Sequence, residues 1–203
     1  NEFHYFPTAV YREEKPEWVG HVLKQVDRWY QEQRRVNQEQ NINYAVVQTP
    51  HMGSDPELSF LAEYFGKTAT DLLRQQGYFL DHHEFYTSGM WAQEVACMGS
   101  HEPHVHANTQ MCGLYLLDIP EGGSFPVFSD PRPSKVMNDF FMADNEVRVA
   151  TPKIYFNNMV PGTFMFFNAW LPHQFTINQS QQPTKFFISL WDAGRELIDA
   201  TLV

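Results

Sequence analysis

At 203 residues, with 43% hydrophobic and 15% aromatic content, the chain is too apolar for a disordered or fibrous protein and is sized for a single domain spanning residues 1–203. Its 14 Lys and Arg face 24 Asp and Glu, and the resulting net charge of −10 opposes broad contact with phosphate backbones, so nucleic acid is a disfavoured partner. No apolar run reaches the roughly 20 residues of a membrane span. Asn1–Tyr11 lacks a basic stretch followed by a hydrophobic one, and Cys97 and Cys112 are too few for a disulfide framework. The expectation is a cytoplasmic protein with buried free thiols.

After a short extended start at Phe6–Tyr11, residues Pro16–Gln38 place Trp18, Val22, Val26, Trp29 and Tyr30 at spacings of three and four, which predicts an amphipathic helix. The segment up to Asp55 reads as a loop. A second helix is expected from Pro56, a residue tolerated in a first turn, to Gly77, with Leu58, Leu61, Phe65, Leu72 and Leu73 on its apolar stripe. The helical part thus spans about 13–77.

From Tyr78 the helical period stops, and β-branched and aromatic runs alternate with turn signals such as Pro120-Glu121-Gly122-Gly123 and Val160-Pro161-Gly162. Eight strands are expected: Gly77–Tyr86, Trp91–Cys97, His104–Asp118, Ser124–Phe128, Lys153–Phe156, Thr163–Phe167, Gln174–Ile177 and Lys185–Trp191. Eight short antiparallel strands suit a mainly β fold, a jelly roll or cupin-like double-stranded β-helix over about 78–192, with the two N-terminal helices packed on one sheet. The long charged stretch Pro131–Thr151 is a candidate lid.

Three of the nine histidines fall within six residues, His101, His104 and His106. In an extended strand, residues i and i+2 project from one face, so His104 and His106 can point together into a barrel. A lone His173 follows 67 residues later at the start of an apolar strand. Two imidazoles from one strand and one from a distant strand can hold a metal ion and leave its opposite face open. Further on, Lys185, Phe187 and Ser189 share one face, and a cation on an otherwise apolar inward face calls for an anionic partner. Taken singly, His4, His21, His51, His82 and His83 read as hydrogen-bonded structural residues, and His101 as a loop residue beside the site or exposed.

The pattern of HxH, a late His and a basic residue one strand on resembles the Fe(II)/2-oxoglutarate oxygenase superfamily. The segments FPTAVY, HVHANTQMCGLYLL, FSDPR and FNAWLPHQF resemble a phage and bacterial subgroup of 2-oxoglutarate/Fe(II) oxygenases. The resemblance implies Fe(II) bound by His104 and His173, and the shared strand face makes His106 the third expected ligand. It implies 2-oxoglutarate as co-substrate, with Lys185 on its distal carboxylate in place of the more usual Arg and with Tyr115 and Ser189 as hydrogen-bonding partners. The implied activity is a dioxygenase that hydroxylates an unidentified substrate with dioxygen, releasing succinate and CO2. His106 departs from the superfamily, which has Asp or Glu there; a neutral imidazole leaves the ion at +2. Asp130, Asp118 or Glu102 could supply a carboxylate instead, and the role of Arg132 is open. Two other readings remain: a three-His cupin-type dioxygenase or Zn hydrolase, which does without 2-oxoglutarate, and a non-catalytic ligand-binding barrel. The helices or outer strand edges could also pair in a homodimer.

Overall fold

The structure, a computed structural model, describes residues 6–42, 45–81, 83–137 and 151–193. In chain order the elements are β1 (Val10–Glu14), α1 (Val19–Glu39), β2 (Val46–Gln48), α2 (Ser59–Gln75), β3 (Phe85–Val95), β4 (His101–His104), β5 (Met111–Asp118), β6 (Pro126–Ser129), β7 (Lys153–Tyr155), β8 (Thr163–Asn168), β9 (His173–Phe175) and β10 (Thr184–Ala193). Short 3-10 turns lead into both helices at Pro16–Trp18 and Pro56–Leu58. Each has proline in its first turn, where no amide donor is missed. Helix α2 ends where Gly77 takes φ +93°, with the Tyr78 amide returning to the Leu73 carbonyl.

The strands form two sheets with every neighbouring pair antiparallel. The larger runs β1-β8-β5-β10-β3-β2 and the smaller runs β4-β9-β6-β7. From β3 onward the chain passes back and forth between the sheets, which is the expected double-stranded β-helix with its helices on one sheet.

Two cores follow from the period-2 alternation of the central strands. Between the sheets lie Cys112, Leu114, Leu116, Met165, Phe167, Phe186 and Ile188, facing Phe128 and Phe175 of the smaller sheet. On the outer face of the larger sheet, Tyr115, Leu117, Phe164, Phe166, Phe187 and Trp191 meet the apolar stripes of the helices, among them Val22, Val26, Leu61 and Phe65. Both faces of β5 and β8 are covered, so each reads as an unbroken buried run.

Several expected elements shift. In the run Gly77–Tyr86 only Phe85 and Tyr86 are strand among the described residues, and β3 starts there; β1 and β2 join the larger sheet at segments read as extended start and loop. His104–Asp118 is not one strand but two, β4 and β5, in different sheets. The break falls at Ala107–Gln110, where Asn108 sits in the left-handed region at φ +55°, a conformation Asn tolerates better than most residues. Of the candidate lid, residues 138–150 lie outside the described residues. Among the described residues no helix is long and apolar enough to cross a membrane.

Candidate metal centre

Strands β4 and β9 are neighbours in the smaller sheet, and His104 sits directly opposite His173. Opposed residues of an antiparallel pair share a face, so the two rings meet with centroids 4.3 Å apart. His106 lies two residues beyond the end of β4, not on a strand as expected, and its amide donates to the Ala169 carbonyl at 3.0 Å. That bond ties it to the turn leading into β9, and its ring stands 5.0 Å from His104 and 5.1 Å from His173. One ligand atom from each of the three lies within 4.8 Å of the others.

Each strand histidine is oriented by backbone. His104 Nδ1 contacts the Glu102 carbonyl at 2.7 Å, and His173 Nδ1 contacts the Leu171 carbonyl at 2.9 Å. A carbonyl can only accept, so both Nδ1 atoms carry a proton, which leaves Nε2 as the nitrogen available to an ion, the arrangement metal-binding histidines adopt. Burial pushes the His173 imidazole down to about 3 against the walls of Phe128 and Phe167, despite the Leu171 bond. Burial, then repulsion from His104 and His101, takes His106 to about 4. Three imidazoles gathered from two strands and a turn fit a divalent first-row ion and fill only part of its coordination sphere.

The carboxylate alternatives are not brought here. Asp130 is gripped by Arg132 at 2.9 and 2.6 Å, which holds its carboxyl below the usual range. Asp118 pairs in register with Lys185 on the larger sheet, and Glu102 is exposed and serves His104 through its carbonyl. Among the described residues the cluster is His104, His106 and His173 alone.

The expected co-substrate residues lie elsewhere. Lys185 donates to Asp27 of α1 at 2.8 Å and lies over the Tyr30 ring. Tyr115 stacks on Phe164 and donates to the Lys15 carbonyl at 2.7 Å, and Ser189 accepts from the Trp191 indole at 2.8 Å. This corrects the sequence reading: Phe186 and Ile188 fill the space between the sheets, so the alternation turns Lys185, Phe187 and Ser189 toward the helices. His101 is corrected as well. It lies on β4, not in a loop, its ring is 4.4 Å from His104, and its buried Nδ1 has no hydrogen-bond partner. Trp91 and Gln93 of β3, which the sequence did not single out, also bury an unpartnered Nε1 and Oε1.

Two further histidines have structural partners: His51 accepts from the Met90 amide at 3.0 Å and His21 contacts the Glu57 carbonyl at 2.9 Å. His4 and His82 lie outside the described residues. Both cysteines are free, Cys112 fully buried between the sheets and Cys97 half-buried.

Residues 89–186 match a family model described as "Putative 2OG-Fe(II) oxygenase". No curated protein matches the chain in sequence. Among solved structures, the epimerase SnoN in complex with Fe3+, alpha ketoglutarate and nogalamycin RO aligns with a TM-score of 0.58 at 15% identity, over 96% of this chain and 84% of that one. AviO1 from Streptomyces viridochromogenes Tue57 gives 0.59 at 12%, over 91% and 90%. The viral collagen prolyl hydroxylase vCPH from Paramecium Bursaria Chlorella virus-1, in its 2OG complex, gives 0.57 at 11%, over 92% and 96%. At such identities these structures speak for the fold. The family match lies on the strands that carry the histidine cluster, and the fold is the one these solved structures share.

Proposed function

We propose that the protein is a hydroxylase in which His104, His106 and His173 hold Fe(II), with residues 1–203 as one catalytic domain. The observation that carries this reading is the convergence of three imidazoles, two of them oriented through Nδ1 by backbone carbonyls. When bound, Fe(II) and 2-oxoglutarate supply the oxidising chemistry, in which dioxygen and the co-substrate give succinate and CO2 while one oxygen atom enters a C–H bond of the substrate. The chain's own part is positioning and exclusion of water. The Leu171 and Glu102 carbonyls fix two ring orientations, the Ala169 carbonyl fixes the backbone of the third, and Phe128 and Phe167 wall the buried side. Three neutral ligands leave the ion's +2 charge for the co-substrate dianion to offset. The free thiols suit the reducing cytoplasm.

Among the described residues no carboxylate joins the cluster and Lys185 is turned away, which favours one second reading: a three-His metalloenzyme that does not use 2-oxoglutarate. Anaerobic protein given Fe(II) and 2-oxoglutarate separates the two. The expected result is a visible metal-to-ligand absorption band, with metal affinity falling roughly 100-fold or more in His104→Ala and His173→Ala, beyond what loss of an outer partner causes. His106→Asp, which restores the superfamily's carboxylate, is expected to keep the band. Metal binding with no band sinks the 2-oxoglutarate reading in favour of the second; no metal binding sinks both and leaves a non-catalytic barrel.

A further inference from the structure

The strands β3 to β10 carry two cations, Lys185 and Lys153. Lys153 is exposed, and Lys185 faces the helices in its ion pair with Asp27. Arg132, at the end of β6, is taken up by Asp130. Among the described residues no strand cation is therefore directed between the sheets to meet the far end of a dicarboxylate.

That space is not without polar groups. Among the described residues six buried side-chain N or O atoms lack a hydrogen-bond partner, and three of them belong to Trp91, Gln93 and His101. They lie on β3 and β4, which the chain joins through the short turn at residues 96–100. Trp91 packs into the core between the sheets, and Gln93, two residues on, shares its face. A Cβ on Gly89 would lie 2.4 Å from the Trp91 ring, so the absence of a side chain there lets the indole lean along β3.

The chain then turns through residues 96–100. Bonds from the Met98 amide to the Asn178 carbonyl and from the Asn178 amide to the Gly99 carbonyl hold the turn, and the chain returns as β4 in the facing sheet. His101 sits opposite Phe175, whose ring stacks on Phe186 inside the barrel, so His101 points inward too. It adjoins His104, a proposed iron ligand. Buried polar atoms are normally paired, and an unpaired group costs free energy unless something meets it.

We infer that the distal carboxylate of 2-oxoglutarate is held between β3 and β4 by neutral N–H donors, the Trp91 indole and the His101 imidazole, and not by Lys185. The inference rests on the oxygenase reading above. Indole Nε1 is a donor only, and imidazole Nδ1 becomes one when Nε2 is unprotonated. Gln93 joins them through an amide exchange. Its Nε2 donates to Gln48 Oε1 at 3.0 Å, and turning both amides over keeps that bond while presenting the Gln93 Nε2 to the barrel. A cradle of neutral donors recognises a five-carbon 2-oxo acid by the hydrogen-bonding capacity of its far end more than by its charge. An analogue with a distal amide, 2-oxoglutaramate, then remains an effective ligand.

The test is an anaerobic titration of Fe(II)-loaded protein with 2-oxoglutarate, read by the metal-to-ligand band, with Co(II) affinity in the absence of co-substrate as the check on the metal site. Trp91→Phe keeps the ring in the core and removes the donor; it is expected to raise the 2-oxoglutarate requirement about 10-fold, one good hydrogen bond, with Co(II) affinity unchanged. Lys185→Met is expected to leave that requirement within about twofold and to lower thermal stability. 2-Oxoglutaramate is expected to displace 2-oxoglutarate at concentrations within about tenfold. The inference is overturned if Lys185→Met raises the requirement 10-fold or more while Co(II) binding holds. It also falls if Trp91→Phe binds like wild type, in which case the orphaned atoms hold water only and the oxygenase reading survives. A wild-type protein that binds Co(II) and shows no band removes both.

Discussion

At the residue level, the difference between an ordinary histidine and a metal-binding one lies in what its other nitrogen does. His104 and His173 each commit Nδ1 to a carbonyl two residues back, which costs nothing in secondary structure because both residues sit at strand ends. Burial keeps His106 and His173 neutral, and this makes the metal-free protein sensitive to acid. Their folded values, about 4 and about 3, lie below the 6.5 of an exposed imidazole. Between those limits the unfolded chain binds more protons than the folded one, so stability falls as pH drops below 6.5 and the loss levels off near the folded values. Near pH 5 these two residues account for uptake of about two protons on unfolding. Urea midpoints of apo protein measured from pH 7 to 5 should fall more steeply than those of a His106→Asn, His173→Asn double variant; parallel lines would show that neither histidine is buried neutral.

At the level of elements, the alternation of strands decided which predicted residues reach the site. HxH…H was legible because the spacing between His104 and His106 is local and His173 opens an apolar run. The face of Lys185 was not legible, since either parity of KFFISLW puts a phenylalanine on each side of the sheet. What settles it is α1. Asp27 takes Lys185, and Arg34 takes Glu94, the residue directly across the ladder from Lys185, through two guanidinium nitrogens. The two ion pairs align α1 on the sheet around Tyr30, whose hydroxyl is held well above its ordinary range by burial and by the Glu94 and Asp27 charges. Glu94 is 4% exposed while the Arg34 side chain is 45% exposed. Removing the arginine strands a buried carboxylate, and because the pair is half in solvent the cost is set below that of a fully enclosed one, at about 2–3 kcal/mol. Arg34→Ala should show that loss in chemical denaturation, and Arg34→Ala with Glu94→Gln should recover part of it. A single variant as stable as wild type would remove this latch from the account of how α1 docks.

For the whole molecule, metal and fold are linked because the three proposed ligands come from two strands and a turn that meet only in the folded barrel. An ion that binds the folded state alone, at 100 times its Kd, adds about 2.7 kcal/mol. For a chain of this size that corresponds to a Tm rise of roughly 5–11 °C. Differential scanning calorimetry of protein loaded anaerobically with Fe(II) should show the rise, EDTA should reverse it, and His104→Ala should lack it. A wild-type Tm indifferent to metal would mean that the cluster does not bind one in the folded state.

By itself the sequence determined the fold class, the two helices with their buried stripes and the three histidines, because each is written in a local period or spacing: 3.6 residues for a helix, two for a strand, and His104 and His106 side by side. It also held the cue to the break between β4 and β5, in Asn108, though the apolar run beyond outweighed it. Only the tertiary structure decided which side of the larger sheet each residue faces, that β4 and β5 lie in different sheets, and that His101, Trp91 and Gln93 turn toward the same interior. Those outcomes depend on pairings between strands far apart in the chain and on a helix that claims one face of the sheet. A period of two leaves the choice of face undetermined until the rest of the molecule has packed.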